Sequence, residues 1–343
     1  MMNLTATTEI VLPGIVQPSG LLIEQRTLPA PDAGQALVQI EASGVSFAEL
    51  GMRRGRYPGQ PKFPFVPGYD FVGTVREVGP GVSREWVGAR VAAPTKTGAW
   101  STHLLISASH LVAVPDTLEP ALIETVLLNG VTAWQMLHRQ ARARAGQTIL
   151  VHGASGGVGT NLIQLAVHGG MWVIGTAAPR HHDALRSMGV EPLDSRDKNL
   201  AACVRELAPG GVDAAFDHLG LESARTSFNL LARGGTLVAY GTAAVLDSRS
   251  IASEFMALLG QVLCWNALPN SRWATFYNFW GGNSVNPVGF RKRFSEDLTR
   301  VLALVSSGAV VPQIAARFPL TEARAAMELA ESHTVSGKVV LIP

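Results

Sequence analysis

The chain has 343 residues, of which 47% are hydrophobic and 16% charged, as is typical of a folded protein with a sizeable core. Its formal net charge of +2 comes from 28 basic and 26 acidic residues spread along the chain. That distribution excludes a basic stripe for nucleic acid and a basic amphipathic helix for a membrane surface. The length predicts two domains.

The cysteine content and the lack of targeting segments favour a cytoplasmic protein. The chain has two cysteines, both in apolar surroundings, which fits a reducing compartment. No apolar run approaches the roughly 20 residues that span a bilayer. The first residues lack the basic region and apolar core of a signal peptide.

The first part of the chain, residues 1–125, contains many short strand patterns separated by glycine and proline turns. These strand patterns lie at residues 9–12, 36–40, 71–75 and 89–92. Many short strands at regular spacing predict a compact domain resembling a β-barrel.

From about Pro120 onward, helical patterns alternate with strand patterns. We predict strands at residues 148–152, 172–176, 213–217, 236–240 and 261–265, and helices at 158–168, 181–188 and 223–232. This alternation is typical of an α/β domain whose parallel sheet is covered on both faces. After an irregular aromatic segment at 266–290, we predict a helix at 290–306, a strand at 314–318, a helix at 321–332 and a strand at 338–342.

A glycine-rich turn joins the first of these strands to the first helix. Gly156 would let the backbone approach a pyrophosphate, and Gly159 would let the helix pack closely on the strand. Tight turns use glycine too, but flanking strands and a helix favour a dinucleotide site. We therefore predict that the turn binds the cofactor through Gly153, Ala154, Ser155, Gly156, Gly157, Val158 and Gly159.

The end of the second predicted strand indicates which dinucleotide is bound. Enzymes that use NAD carry an acidic residue there to bind the ribose 2′-hydroxyl. Here Thr176 is followed by two alanines, a proline and Arg180, and the next acid is Asp183. Since a guanidinium favours a 2′-phosphate, we predict NADPH, although Arg180 could also simply open a surface helix. Ser195, after the third strand, could line the adenine side.

Several motifs together resemble the medium-chain dehydrogenase/reductases and, within them, the zinc-independent quinone oxidoreductases that include zeta-crystallin. Residues 44–49 (GVSFAE) resemble that branch's G-V-N-x-x-D, and 67–75 resemble its P-G-x-[DE]-x-x-G-x-V. Residues 88–91, 129–133 and 152–159 match three further motifs of the family. The match covers nearly the whole chain.

The resemblance implies an α/β protein of two domains. A GroES-like β-barrel catalytic domain would comprise residues 1–125 and 291–343, and a Rossmann domain with a doubly wound parallel sheet would comprise 126–290 and bind NADPH. The cofactor would lie in the cleft between the domains. A homodimer would form through the 261–265 edge strand.

The same resemblance indicates that no metal is bound. Zinc members of the family carry a cysteine where Ser46 stands and a histidine where Tyr69 stands, and neither replacement is a good zinc ligand. The four closely spaced cysteines of the family's structural zinc lobe are missing between residues 90 and 115.

Further site residues follow from the resemblance. Ser46 and Glu49 match a polar pair beside the nicotinamide, with serine and glutamate where the branch usually has asparagine and aspartate. Tyr57 and Tyr69 would face the cleft, where a phenol could hydrogen-bond a developing oxyanion or donate a proton; each could instead simply pack. Thr132 matches a residue beside the nicotinamide amide. The residues expected to border the cofactor are Leu219, Gly220, Gly241 and Thr242.

The functional hypothesis is an NADPH-dependent, zinc-independent oxidoreductase that transfers hydride to a quinone or to the activated C=C of an α,β-unsaturated carbonyl. Its substrate would be small and apolar or aromatic. One alternative is an enoyl reductase that tailors a polyketide-type metabolite; another is a non-catalytic NADPH-binding sensor or structural protein. The aromatic residues at 265–280 could cover an apolar substrate or pack in a core or dimer interface.

Overall fold

The computed structural model describes residues 4–57, 59–243, 251–332 and 334–343. It divides into two compact units. Unit 1 comprises Met1–Asn129, Leu298–Ser306 and Pro312–Pro343, and unit 2 comprises Gly130–Asp297 and Ser307–Val311. The domain breaks predicted from the sequence lie after residues 125 and 290, and the second falls inside one unbroken helix, Pro287–Ser306.

Strands and helices have the following bounds in the described ranges. The strands are β1 Thr5–Val11, β2 Leu22–Leu28, β3 Gln35–Val45, β4 Asp70–Val78, β5 Arg90–Pro94, β6 His103–Ser107, β7 Val112–Ala113, β8 Thr148–His152, β9 Trp172–Ala177, β10 Val190–Asp194, β11 Val212–Asp217, β12 Leu231–Ala239, β13 Trp273–Phe276, β14 Ile314–Pro319 and β15 Lys338–Ile342. The α-helices are α1 Phe47–Arg53, α2 Pro120–Leu127, α3 Asn129–Trp134, α4 Gly157–His168, α5 His182–Ser187, α6 Leu200–Leu207, α7 Leu221–Asn229, α8 Ile251–Ala267, α9 Pro287–Ser306 and α10 Ala323–Glu331. None of the helices in these ranges is long and apolar enough to cross a membrane.

The main sheet of unit 1 is centred on the long strand β3. Its strand order in the described residues is β14-β15-β3-β4-β5-β7, and β6 also pairs with β3. The C-terminal strand β15 runs antiparallel to β3, with Val339 opposite Val45. The apolar core beneath this sheet includes Val38, Phe71 and Val91.

The sheet of unit 2 is parallel and doubly wound, as predicted. Its order in the part that the structure describes is β10-β9-β8-β11-β12-β13. The chain therefore moves outward from β8 in one direction and from β11 in the other. In such sheets, ligands bind outside the carboxyl ends of the strands at the point where the order reverses, here between β8 and β11.

The prediction of a strand at residues 261–265 is wrong, because this segment lies inside α8. Leu258, Val262 and Trp265 are all at most 8% exposed, and their spacing follows the helical period, so one helix face packs on the core of unit 2. Leu263, between them, is 71% exposed. The edge strand on this side of the sheet is instead β13, which pairs with β12.

A buried ion pair holds the part of α9 that belongs to unit 2, up to Asp297. The carboxylate of Asp297 is fully buried, and its Oδ1 lies 2.7 Å from Nη2 of Arg139. Arg139 Nε also donates to Oδ2 at 2.9 Å, as does the amide of Gln135 at 2.8 Å. Arg139 and Gln135 belong to the π-helical turn Gln135–Gln140, so the carboxylate holds this turn against α9.

We expect Asp297→Ala to lower the free energy of unfolding of unit 2 by about 2–3 kcal/mol, because it leaves the Arg139 guanidinium and the Gln135 amide without the buried acceptor that they share. The matched control is Asp183→Ala, which breaks an exposed pair with Arg186 and should cost much less, because water screens such pairs. Urea unfolding of both variants measures the difference. Equal losses would contradict the role assigned to Asp297.

Candidate active site

The glycine-rich turn between β8 and α4 has a backbone shape that favours glycine at two positions. Gly153 has a φ of +66°, a conformation that other residues rarely adopt. A Cβ at residue 159 would lie 2.1 Å from the carbonyl oxygen of Gly153, so only glycine allows this close approach. Gly156 is the N-cap of α4, and no side chain caps this end. Backbone N–H groups at the start of α4 therefore suit an anionic ligand.

Thr176, a predicted cofactor residue in β9, supports the glycine-rich turn by accepting two hydrogen bonds from its backbone. The N–H groups of Gly153 and Ala154 donate to the side-chain and backbone oxygens of Thr176, at 3.3 Å and 2.9 Å. Thr176 is 1% exposed and Ala154 is fully buried. Both residues thus shape the turn from inside, and the fully buried Ala154 offers no surface to a ligand.

The carboxyl ends of β9 and β10 carry the residues predicted for the adenosine part. Arg180 is exposed in a short 3-10 turn, Pro179–His181, and its Nε donates to the ring of His181 at 3.2 Å. Ser195 is exposed directly after β10, and its N–H donates to the carbonyl of Ala177 at 3.0 Å. Residues 176–180 contain no carboxylate.

The ends of β11 and β12 bring the remaining predicted residues to the same edge. Gly220, with a φ of +135°, follows Leu219 as the N-cap of α7. A Cβ at Gly241 would lie 2.9 Å from the carbonyl oxygen of His218, and Thr242 follows. Sequence reasoning missed His218, whose ring lies so close to Gly153 that a Cβ there would be 2.5 Å from its Cε1.

Sequence reasoning also missed a buried polar network behind the turn. His152 Nε2 lies 3.0 Å from the hydroxyl of Ser227, which donates to Asp217 at 2.7 Å. Ser223 donates to the same carboxylate at 2.6 Å. Burial, together with the charge of Asp217, raises the pKa of Tyr240. The network joins β8, β11 and α7 at the edge where the glycine turn lies.

The aromatic segment after α8 is largely packed within unit 2. The hydroxyl of Tyr277 donates to Gln135 at 2.9 Å, and Tyr277 also hydrogen-bonds Thr132. The ring of Trp280 stacks on Phe290 with centroids 5.5 Å apart. Trp273, in contrast, is 55% exposed. Packing, rather than an open aromatic wall, accounts for most of this segment.

In unit 1, Ser46 and Glu49 form a capping box at the start of α1. The backbone N–H of Ser46 donates to Glu49 Oε2 at 2.9 Å, and the Ser46 hydroxyl donates to the same oxygen. Ser46 Oγ in turn accepts from the N–H of Ala48 at 3.2 Å. Serine and glutamate at this spacing satisfy the helix start reciprocally.

The carboxyl of Glu49 is buried and is held near its point of ionisation at neutral pH. Glu49 is 1% exposed. Burial, reinforced by the charge of Asp70, raises its pKa to about 7, although the bond from Ser46 acts in the opposite direction. A carboxyl of this kind can be a proton donor or acceptor near neutral pH.

The two predicted tyrosines do lie together. Their hydroxyls are hydrogen-bonded to each other, and their rings pack edge to face with centroids 5.7 Å apart. Burial raises the pKa of Tyr57; the bond to Tyr69 lowers it, and the charge of Glu49 raises it further. The pair therefore combines two phenol groups with a neighbouring buried carboxyl.

A second buried cluster in unit 1 was not predicted. Lys338 Nζ lies 3.0 Å from Asp70 Oδ2 and 2.6 Å from Glu124 Oε1. All three residues are at most 2% exposed. A lysine that opens the otherwise apolar strand β15 was the one signal in the sequence.

The two residues that stand where zinc members of the family carry metal ligands make other contacts in this protein. Ser46 caps α1, and Tyr69 bonds Tyr57. Across the described ranges, no three histidine, cysteine, aspartate or glutamate side chains are grouped so that they could hold a metal ion.

Comparisons with known proteins agree with this architecture. The family model for the alcohol dehydrogenase GroES-like domain matches residues 32–116, and that for zinc-binding dehydrogenase matches residues 189–341. The chain is 30% identical over 326 residues to the human synaptic vesicle membrane protein VAT-1 homolog, covering 92% of this chain and 80% of that protein. It is 31% identical over 338 residues, 97% of its length, to a segment that makes up 15% of phthioceranic/hydroxyphthioceranic acid synthase of Mycobacterium tuberculosis.

Two solved structures extend the likeness to the whole chain. A mycobacterial protein complexed with NADPH is 30% identical and has a TM-score of 0.82, over 98% of this chain and 100% of that one. A mycobacterial quinone oxidoreductase is 29% identical with a TM-score of 0.80, over the same fractions. By sequence and by fold, the chain belongs to the medium-chain dehydrogenase/reductase superfamily of oxidoreductases, in its zinc-independent quinone oxidoreductase branch.

Proposed function

We propose that the protein is an NADPH-dependent reductase that transfers hydride to a quinone or to the activated C=C of an α,β-unsaturated carbonyl. The observation that carries the proposal is the turn at 153–159, where a Cβ on residue 159 would meet the Gly153 carbonyl. The mycobacterial structure complexed with NADPH supports the choice of cofactor, and the mycobacterial quinone oxidoreductase supports the class of reaction.

The residues of unit 2 fit this dinucleotide. The uncapped N–H groups at the start of α4 would bind the pyrophosphate, and Arg180 would pair with the 2′-phosphate, which no carboxylate at 176–180 would repel. When bound, NADPH supplies the hydride. The protein's own task is to orient the acceptor, exclude water and manage the proton.

The phenol pair of unit 1 would handle the oxygen of the acceptor. Reduction of an enone places negative charge on an enolate oxygen, and a phenol of Tyr57 or Tyr69 can hydrogen-bond that oxygen or protonate it. A reduced quinone can take its protons from water. The two acceptor classes thus differ in how much they need the pair.

A second candidate is an enoyl reductase that tailors a polyketide-type metabolite. The match to a segment of the mycobacterial acid synthase favours it. Its substrate would be an enoyl thioester, which needs a hydride at one carbon and a proton at the next.

The deciding experiment follows NADPH oxidation against a panel of quinones, enones and enoyl thioesters, with and without a strong chelator. We expect turnover that the chelator does not reduce, because Ser46 and Tyr69 replace the metal-binding residue types. Activity that is lost and then restored by zinc would refute a metal-free reaction. NADPH binding without turnover of any acceptor would favour a sensor or structural role.

The proposed homodimer would form through β13, since the predicted 261–265 strand is helical. β13 is an edge of its sheet, and edge strands pair readily with other chains. Large apolar side chains are exposed on both elements: Trp273 on β13 is 55% exposed, and Met256 and Leu263 on α8 are 64% and 71% exposed. We expect a solution mass about twice the 36.4 kDa of the chain, and we expect Trp273→Lys to weaken the dimer. Trp172→Lys, at a 41% exposed tryptophan on β9, is the control.

For cofactor choice, we expect NADPH to bind at least ~10-fold tighter than NADH, since one charge-assisted contact contributes about 1.5–3 kcal/mol. Arg180→Ala should remove most of this preference. Arg186→Ala, also an exposed arginine nearby, should leave it unchanged. Equal affinities of the parent protein for both cofactors, measured by fluorescence titration, would contradict the assignment.

For the phenol pair, we expect Tyr57→Phe or Tyr69→Phe to slow enone reduction by ~10-fold or more, a low value for a positioned general acid. The loss should lie in kcat rather than KM, because the interaction strengthens in the transition state. Quinone turnover by the same variants is the internal control and should change little. Parent-like rates of both variants on every acceptor would show that the proton comes from solvent.

A further inference from the structure

Unit 1 buries more negative than positive charge at one place. Glu49, Asp70, Glu124 and Lys338 are 1%, 0%, 0% and 2% exposed. Fully ionised, these three carboxylates and one ammonium would leave two uncompensated negative charges inside the core. A buried charge without a partner is too costly to persist, so the group must retain additional protons.

The hydrogen bonds of the group show the same excess of acceptors. Lys338 has three N–H donors, which contact Asp70 Oδ2, Glu124 Oε1 and, at 3.4 Å, the carbonyl of Glu124. The 2.6 Å contact with Glu124 Oε1 lacks the direction of a hydrogen bond. Of the five buried side-chain atoms in the described residues that lack a hydrogen-bond partner, four belong to this group: Glu49 Oε1, Asp70 Oδ1 and both oxygens of Glu124.

Protons on the carboxyl groups remove both the excess negative charge and the excess of hydrogen-bond acceptors. Burial raises the pKa of Glu124 well above its usual value, against the pull of Lys338. The neighbouring carboxylates raise the pKa of Lys338 despite its burial, so its ammonium stays charged. The carboxyl of Glu49, with a pKa of about 7, is then the member that gains or loses its proton near neutrality.

The group is linked to the phenol pair by position and by charge. Tyr69 and Asp70 are consecutive, so one chain segment carries both a phenol of the pair and a carboxylate bound to Lys338. Ionised Glu49 makes the phenol of Tyr57 a weaker acid. Arg53, the buried cation of α1, is engaged elsewhere, since its Nη2 lies 2.6 Å from Glu331 of α10.

We propose that Glu49, Asp70, Glu124 and Lys338 form a proton-holding cluster that controls proton donation by the Tyr57–Tyr69 pair. With Glu49 neutral, the pair gives up a proton readily; with Glu49 ionised, its negative charge holds the phenol proton in place. Asp70, Glu124 and Lys338 act as positioning residues that set where Glu49 titrates. This inference rests on the proposed reduction of enones.

The rate of enone reduction should therefore fall as the pH rises. Enone reduction should be fast below about pH 7 and should fall about threefold or more as Glu49 ionises above it. Quinone reduction by the same enzyme should vary little over that range. Glu49→Gln should flatten the enone profile. Asp70→Asn should move its falling limb to lower pH by roughly half a unit or more, since it removes a negative charge that faces Glu49.

The test is the pH profile of kcat/KM for an enone and for a quinone, from about pH 5 to about pH 9. Glu9→Gln is the matched control, because Glu9 is also a buried carboxylate of unit 1, 6% exposed and paired with Arg26; its profile should equal that of the parent. A flat enone profile in the parent enzyme would overturn the inference while leaving the proposed function standing.

Two measurements that need no substrate turnover test whether the cluster controls the phenol pair. Infrared spectroscopy of the parent should show a protonated carboxyl band that disappears with a midpoint near pH 7 and is missing in Glu49→Gln. Ultraviolet titration of the four tyrosines should show one phenol becoming more acidic in that variant. If neither change is seen, the cluster does not control the pair, whether or not an acceptor is reduced.

Discussion

The ammonium of Lys338 is the contact on which the interior of unit 1 depends. It is the positive charge that lies between Asp70 of β4 and Glu124 of α2, and without it both carboxyls would be buried with no counter-ion. The contact also requires glycine at position 44, where a Cβ would lie 2.3 Å from both Glu124 Oε1 and Lys338 Cε. Two residues later, Ser46 begins α1 and binds Glu49. Gly44 therefore leaves the space that Lys338 and Glu124 occupy, two residues before the capping box of α1.

Local sequence patterns were sufficient to predict those parts of the structure that local interactions determine. The glycine turn was predictable because a strand, four closely spaced glycines and a helical pattern leave few other geometries. The alternation of β8, α4 and β9 was predictable from periodicity. Ser46 and Glu49 stand three residues apart, which is the spacing of a capping box, but family resemblance placed them beside the nicotinamide and their mutual contact was not predicted.

Features that depend on contacts between residues far apart in the chain could not be predicted from the sequence. Lys338 and Asp70 are 268 positions apart, and a single lysine in an apolar strand does not reveal its partners. The ring of His218 faces Gly153 only because β8 and β11 are neighbours in the sheet. The apolar run at 261–265 fits a short strand as well as a helix turn, and only the packing of α8 on the core decides between them. Its neighbour Gly260, with open space at its Cβ position, does not interrupt the helix.

The pairing of β15 with β3 has a consequence for the order of synthesis. Strands β3 and β4 emerge from the ribosome early, but the strand that supplies Lys338 to Asp70 is made some 268 residues later. The six described strands of unit 2 all lie between residues 148 and 276, so its sheet can close while the core of unit 1 still lacks its cation. During translation, Asp70 and Glu124 are thus made before the sheet of unit 2, and their cation is made after it.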